Sequence, residues 1–238
     1  MTTRSIITVI RRQLRLQVGL LIKVVGKPAV RHVEMIVAMR SRGFSLIELL
    51  ITLAVMAVLI AAVSPSLTDW MVNLRIRNAA VAIQEGIVQA KREASNRGGA
   101  SFWLVSASAT NSSVLDSSCA LSSSSGSWVI SIRSPVGNCD AAPSATTAPM
   151  LVASHAVGDG ASGVTVAAVA ADGATAATKI VFNALGEVTN ADAIARVDVK
   201  AATNAASHRS LRVEIIGAGA VKLCDPALPA ADPRACKN

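Results

Sequence analysis

The sequence predicts an α+β fold in which a long N-terminal α-helix packs on an antiparallel β-sheet domain. An apolar run of 20 residues, 44–63, holds one ionisable side chain, Glu48. Apolar residues then recur at three- and four-residue spacing to about Asn96, as on one face of a helix. Beyond Ser101, short β-prone segments alternate with loops rich in serine and glycine. We therefore expect one long helix first and a sheet domain after it.

The net charge of the chain is confined to its first segment. Residues 1–43 contain nine Lys and Arg residues against one acid, Glu34, which gives +8, the formal charge of the whole chain. Residues 44–238 contain 14 basic and 14 acidic residues and are neutral. A basic chain usually indicates a nucleic-acid partner, but here the excess lies outside the predicted domain. Short basic segments next to a membrane helix collect on the cytoplasmic side, where we place 1–43.

The apolar run has the length of a membrane-spanning helix. At 1.5 Å per residue, 20 residues extend about 30 Å, the thickness of a bilayer's hydrocarbon core. We assign 44–64 to a transmembrane helix. A charged carboxylate at mid-membrane costs about 2.5–3.5 kcal/mol. We therefore expect Glu48 to have either an ion-pair partner or a functional role.

A helical continuation is expected after the membrane segment. Pro65 removes one backbone hydrogen bond, so we predict a kink at this point. The helix should resume as an amphipathic segment over 65–98 and stop at Gly98-Gly99. We expect one apolar stripe of this segment to pack on the sheet: Leu67, Trp70, Met71, Leu74, Ala80, Ile83, Ile87, Ala90 and Ala94.

The remaining residues, 99–238, are predicted to form a β-rich domain. We predict strands at 102–105, 128–132, 163–169, 179–183, 193–199, 211–216 and 221–224. The serine-rich segment 111–127 and the segment 137–149 are expected to be loops. The end of the chain after Cys224 should be irregular, because Pro226, Pro229 and Pro233 exclude regular ladders.

Four cysteines lie beyond the membrane segment, at Cys119, Cys139, Cys224 and Cys236. An even number in an exported domain indicates disulfides, for which three pairings exist. The simplest pairing joins sequence neighbours, Cys119 with Cys139 and Cys224 with Cys236. We predict no metal site, because there is no C-x-x-C and the three histidines are scattered along the chain.

The junction before the apolar run resembles the class III signal of type IV pilins and pseudopilins. The matching residues are Gly43, Phe44 and Glu48, followed by the run itself. The resemblance implies that a prepilin peptidase removes 1–43, cutting after Gly43, and that Phe44 is then N-methylated. It also implies that Glu48, fifth in the mature chain, pairs with a neighbouring subunit's N-terminal amine during filament assembly. The alternative is an ordinary signal sequence or anchor with a cut near Ala61-Ala62-Val63.

The sequence does not determine which of three methionines is the first residue of the leader. Met35 or Met39 would give a leader of nine or five residues, and Met1 a leader of 43. In each case the leader contains Arg40 and Arg42, and none of it contributes to the predicted fold.

The C-terminal region is similar to the GspH/FimT family of minor pseudopilins and minor type IV pilins. Phe182-x-x-x-Gly186 and the ending Cys224-Asp-Pro…Asp-Pro-Arg-x-Cys236 carry this resemblance. It implies a pilin-like fold closed by a C-terminal disulfide loop, and a subunit of a type II secretion pseudopilus or a type IV pilus. The implied partners are prepilin peptidase, other pilins or pseudopilins, and inner-membrane lipid. The implied location is the inner membrane, crossed once, with the C-terminal domain in the periplasm.

The sequence leaves two classes of function as alternatives to a pilus or pseudopilus subunit. Some FimT-type pilins bind DNA for uptake through a Gly-Arg-x-Arg motif, which corresponds here to Gly219-Ala220-Val221-Lys222. Both arginines are absent from it, and the domain is neutral, so nucleic acid is not favoured. The candidate DNA contacts are Arg212, Lys222 and Arg234, with Arg209 and Lys237 nearby. The third class is a membrane-anchored periplasmic binding module.

An enzyme is not predicted. Residues 158–163 fit G-x-G-x-x-G, but they precede a β-prone run, so no helix N-terminus would meet a phosphate. No nucleophile motif G-x-S-x-G is present. We find no catalytic set in the sequence and expect no cofactor.

Overall fold

The computed structural model describes residues 44–237, except for the side chains of 62–65. The segment 1–43, with the predicted cleavage residue Gly43, lies outside the described residues. The described chain divides into two units, with the boundary between Thr52 and Leu53. The helix α1 (Leu46–Arg97) has 52 residues, and the second unit contains all but its first turns.

The direction of α1 changes partway along its length. Its segments Leu46–Ala61 and Ser66–Arg97 are bent by 42° across 62–65, the stretch that contains Pro65. Within residues 44–237, no unbent helix is long and apolar enough to cross a membrane. The two bent segments taken together do have a suitable length and composition.

Eight strands follow α1 in the described chain: β1 (Gly99–Val105), β2 (Ser127–Ser131), β3 (Leu151–His155), β4 (Val164–Val169), β5 (Lys179–Asn183), β6 (Arg196–Ala201), β7 (Leu211–Ile216) and β8 (Ala220–Cys224). A short 3-10 helix, Ala205–Ser207, lies between β6 and β7. The strands form two four-stranded antiparallel sheets, ordered β3-β2-β1-β5 and β4-β6-β7-β8. The predicted α+β fold, a helix packed on antiparallel sheets with a C-terminal disulfide, is confirmed.

The main core lies between the second half of α1 and one face of each sheet. Ile83 and Ile87 of α1 are fully buried, together with Phe102 of β1, Phe182 of β5 and Val197 of β6. A smaller cluster of Val105, Cys119, Val129, Cys139 and Leu151 lies separately. Alternation along β1 and β2 explains the division, because Phe102 and Ile130 belong to the main core whereas Val105 and Val129 belong to the smaller one.

Close contact between α1 and the first sheet depends on Gly86. A Cβ at this position would lie 2.7 Å from Trp128 Cε2 and 2.9 Å from Phe102 Cε2. Both rings are buried, and their centroids are 5.8 Å apart. The rings therefore occupy the space that a side chain would need. The helix ends at Arg97 because Gly98 adopts the left-handed conformation, with φ at 81°.

The packed face of α1 is shorter than predicted. Ala80, Ile83, Ile87, Ala90 and Ala94 are buried, as the stripe predicted. The earlier members of the same stripe, Leu67, Trp70, Met71 and Leu74, are exposed. Val72 is the first residue of α1 that packs on the main core, and full burial begins at Ile76. The expectation that the whole stripe packs on a sheet is therefore wrong for its first two turns.

The strand predictions differ from the structure mainly at β3. No strand was predicted at Leu151–His155, which is an edge strand paired with β2. Val152 is its one β-branched residue, so its propensity signal is weak. The strand predicted at 193–199 is Arg196–Ala201 in the structure, with Ile194 buried just before it.

Candidate functional site

The N-terminal end of the described chain presents the residues of the predicted processing and assembly site. Phe44 is 78% exposed and precedes the first residue of α1, Leu46. Glu48 lies in the first turn and is exposed. A carboxylate in the first turn interacts favourably with the helix dipole, but among the described residues Glu48 has no cationic partner.

The surface around Glu48 is apolar. The large apolar side chains of 46–60 are all more than half exposed, namely Leu46, Ile47, Leu49, Leu50, Ile51, Leu53, Val55, Met56, Val58, Leu59 and Ile60. Surfaces of this extent are not left in water by soluble proteins. This part of α1 consequently requires lipid or other helices around it.

Both disulfides join sequence neighbours, the simplest of the three pairings considered from the sequence. Cys119 is bonded to Cys139, and Cys224 to Cys236, with Cα atoms 6.2 and 5.0 Å apart. The first bond ties the serine-rich loop to the loop after β2. The second closes a loop at the end of the chain.

The C-terminal loop is fixed to the second sheet by polar contacts as well as by its disulfide. Asp225 is buried and accepts a hydrogen bond from Arg209 Nε at 2.6 Å. Lys222 Nζ donates to the carbonyl oxygen of Ala235 at 2.8 Å. The backbone N–H of Lys237 donates to Glu214 Oε2 at 3.2 Å. These contacts hold both ends of the loop against β7 and β8.

The structure brings Arg212 and Lys222, two of the candidate DNA contacts, to one face of the second sheet. Arg212 opposes Cys224, and Lys222 opposes Glu214. The Arg212 side chain is 16% exposed, and its Nε donates to Asp198 Oδ1 at 2.6 Å. Since Lys222 also bonds within the protein, neither cation is directed to a ligand.

Arg234, the third candidate, lies apart from these two in the C-terminal loop. Its side chain is 67% exposed and pairs with Asp232 at 2.9 Å. The hydrogen bond from Arg234 lowers the pKa of Asp232 to about 2. The charges of Arg234 and Asp232 therefore compensate each other over the physiological range, which weakens the attraction for phosphate.

The group nearest to a metal-ligand set in the described residues consists of Glu214, Cys224 and Cys236, whose donor atoms lie within 4.8 Å of one another. Both sulfur atoms are bonded in the disulfide and are not thiolate ligands. His155 instead stacks on Trp128, with ring centroids 5.6 Å apart. Residues 158–163 form turns that lead into β4, so no helix follows the G-x-G-x-x-G match.

Sequence reasoning missed a cleft beside the exposed turns of α1. The cleft has a volume of about 200 Å³ and is lined by Trp70, Asn73, Leu74, Ile76, Arg77, Arg209 and Leu211. Asn73 Oδ1 accepts a hydrogen bond from the backbone N–H of Arg209 at 3.1 Å. The only sequence signal for this cleft was the continued apolar spacing of α1, which does not show what covers a stripe.

Comparison with protein families matches the junction and the apolar run. Residues 38–64 match the model of the prokaryotic N-terminal methylation motif. The match includes Gly43, Phe44 and Glu48 and most of the exposed apolar part of α1. No curated protein and no solved structure matches the chain. The motif supports a type IV pilin-like, membrane-anchored subunit that is processed by prepilin peptidase and assembles with other pilins.

Proposed function

We propose that the chain is a minor pilin or pseudopilin of the GspH/FimT kind, assembled into a type II secretion pseudopilus or a type IV pilus. Prepilin peptidase cuts after Gly43 and Phe44 is methylated. The first part of α1 crosses the inner membrane once, and the sheet domain lies in the periplasm. The observation that carries the proposal is the methylation motif at 38–64, placed on an exposed apolar helix that continues into the domain core.

The assembly energy is expected to come from helix packing rather than from the hydrophobic effect. The apolar side chains of 46–60 are already out of water when α1 lies in lipid. Moving the helix into a filament exchanges lipid contacts for contacts with neighbouring helices, and such exchanges depend on van der Waals packing and polar pairs. A polar group in this apolar surface then decides how neighbouring helices align, and Glu48 is the group in that position.

Glu48 is proposed to set the register between subunits. A charged carboxylate costs about 2.5–3.5 kcal/mol at mid-membrane and less toward the interface, where Glu48 lies, and an N-terminal ammonium of a neighbouring Phe44 lowers the cost for both charges. Every other alignment of the helices leaves both charges unpaired. The pairing therefore favours one axial position strongly.

The experiment is a comparison of Glu48→Ala with Glu48→Gln and with the control Glu85→Ala, an exposed acid further along α1. We expect all three variants to be processed normally, since the peptidase cuts before Phe44. Filament incorporation should fall at least tenfold for Glu48→Ala and Glu48→Gln and be unchanged for Glu85→Ala. Normal incorporation of Glu48→Ala would show that the register role is wrong.

The geometry gives less support to DNA uptake, the alternative function. Arg212 and Arg234 are paired with carboxylates, and Lys222 is bonded to a backbone carbonyl. Binding of the full-length protein to duplex DNA across salt concentrations is the discriminating measurement. Phosphate-driven affinity falls steeply with salt, and a steep fall that Arg234→Gln reduces would favour the DNA role over the filament role.

A further inference from the structure

Two turns of α1 beyond the predicted membrane segment carry an apolar surface that the domain leaves open. Leu67, Trp70, Met71 and Leu74 are between 41% and 62% exposed, and they follow helical spacing. Together they form what we call the juxtamembrane stripe. Trp70 is the most exposed of the four, and tryptophan is enriched where a membrane meets water.

Arginines lie on the side of the juxtamembrane stripe that is farther from the membrane segment. Arg75 and Arg77 are exposed, and within the described chain neither has a carboxylate partner. Arg77 and Arg209 line the cleft of about 200 Å³ beside Trp70 and Leu74. The nearby acid Asp225 is already bonded to Arg209, so positive charge is left at the cleft.

The order of these groups along α1 matches the polarity of a membrane interface. Trp70 lies about 10 Å and Arg77 about 20 Å beyond Val63 along the helix. These values are upper limits on their heights, because α1 bends between them and the membrane segment. Long helical side chains also lean toward the N-terminus, here toward the membrane. Apart from Asp69, an exposed acid next to Trp70, apolar groups thus come first and cations second, as hydrocarbon is followed by headgroup phosphates.

We propose that the juxtamembrane stripe and Arg77 form a docking surface for anionic phospholipid. The lipid occupies this surface while the subunit is in the membrane, before it is assembled into a filament. The inference rests on the membrane anchorage proposed above. Trp70 lies near the level of the glycerol, Leu74 lies beyond it beside the headgroups, and Arg77 binds a lipid phosphate at the mouth of the cleft. A neighbouring subunit is the other conceivable occupant, but the unpaired arginines beside the stripe match an anionic surface.

The test measures the position of Trp70 in the full-length protein reconstituted into lipid vesicles. Lipids brominated near the glycerol end quench tryptophan at the interface, and Trp70→Phe identifies the share of the quenching that belongs to Trp70. The vesicles consist of phosphatidylcholine, alone or mixed with phosphatidylglycerol. We expect Trp70 to be quenched more strongly when phosphatidylglycerol is present and less strongly when salt is added.

Arg77→Gln is the critical variant, and Arg92→Gln is its control because Arg92 is an exposed arginine of α1 outside this cleft. A cation near an anionic membrane contributes about 1 kcal/mol, so Arg77→Gln should lower the ratio of docked to undocked Trp70 about fivefold. Arg92→Gln should leave the ratio unchanged. Both substitutions are on the surface and should not affect folding.

Three results would overturn the docking surface. The first is a Trp70→Phe variant with the quenching of the parent, and the second is an equal effect of Arg77→Gln and Arg92→Gln. The third is quenching that disappears as the protein is diluted in lipid, which would assign the stripe to a second copy. Flotation of the vesicles separates this inference from the proposed function. Protein that fails to float contradicts both, whereas protein that floats without Trp70 quenching contradicts the docking surface alone.

Discussion

Replacing Gly86 with alanine should destabilise the protein, although alanine is the better helix former. In an exposed helix the change would stabilise by about 1 kcal/mol. Here the added Cβ would lie 2.7 Å from Trp128 and 2.9 Å from Phe102. Carbon atoms pack best at about 3.5–4.0 Å, so two ring contacts must open by nearly 1 Å. Neither ring can move into solvent, because both are buried in the main core.

The magnitude follows from the two opposed effects. Overpacking of a core typically costs about 1–3 kcal/mol, and contact with two rings places this site near the upper end. Subtracting the helix propensity leaves a net loss of about 2 kcal/mol in the free energy of unfolding. For a domain of this size, that loss lowers the melting temperature by about 4–8 °C.

Thermal unfolding of the full-length protein in detergent, followed by near-ultraviolet circular dichroism, measures this loss. Ser95→Ala is the matched control, because Ser95 is an exposed position of the same helix and gains propensity without overlap. We expect Ser95→Ala to be as stable as the parent or slightly more stable. If Gly86→Ala melts at or above the temperature of the parent, the close contact of α1 with Phe102 and Trp128 is wrong.

Three further predictions concern the second sheet and the C-terminal loop. Cys224→Ser opens a disulfide that spans 12 residues, and it should lower the free energy of unfolding by about 3 kcal/mol in denaturant titrations. A loss below about 1 kcal/mol would contradict a structural role for this disulfide. Asp198→Ala leaves the half-buried Arg212 without its 2.6 Å partner and should lower the free energy of unfolding by about 2 kcal/mol. Adding Arg212→Leu should restore part of this loss, whereas additive losses in the double variant would refute the coupling of the two side chains. The pKa of Asp232 is lowered to about 2 by Arg234, so their pairing is complete above pH 3.8 and is lost as the pH falls through about 2. Arg234→Gln should raise the pKa of Asp232 in an NMR titration, and an unchanged value would argue against the pair.

The order of helix and sheet was predictable because it depends on local patterns. The apolar run, the stripe from Ala80 to Ala94 and the glycine pair after Arg97 each reflect neighbouring residues along one helix. The surface against which the stripe packs was not predictable from these local patterns. Leu67 and Met71 are four residues apart, as are Ile83 and Ile87, yet only the second pair is buried. Periodicity identifies a face but not its partner.

The long-range polar contacts were not predictable from the sequence. Asn73 and Arg209 are 136 positions apart and meet only because β7 returns beside α1. The pairing of Arg212 with Asp198 depends on the register of β6 and β7, which the strand pattern did not give. As a result, Arg212 was expected as a candidate ligand contact, and the structure places it in an internal ion pair.

The most direct test of the central claim is the N-terminus of the protein purified from membranes. Intact mass and N-terminal sequencing together show where the chain begins and whether its first residue is modified. A processed pilin-type subunit should begin at Phe44, with one added methyl group on its amine. A chain that retains 1–43, or one cut near Ala61-Ala62-Val63, would contradict processing by prepilin peptidase and with it the proposed function.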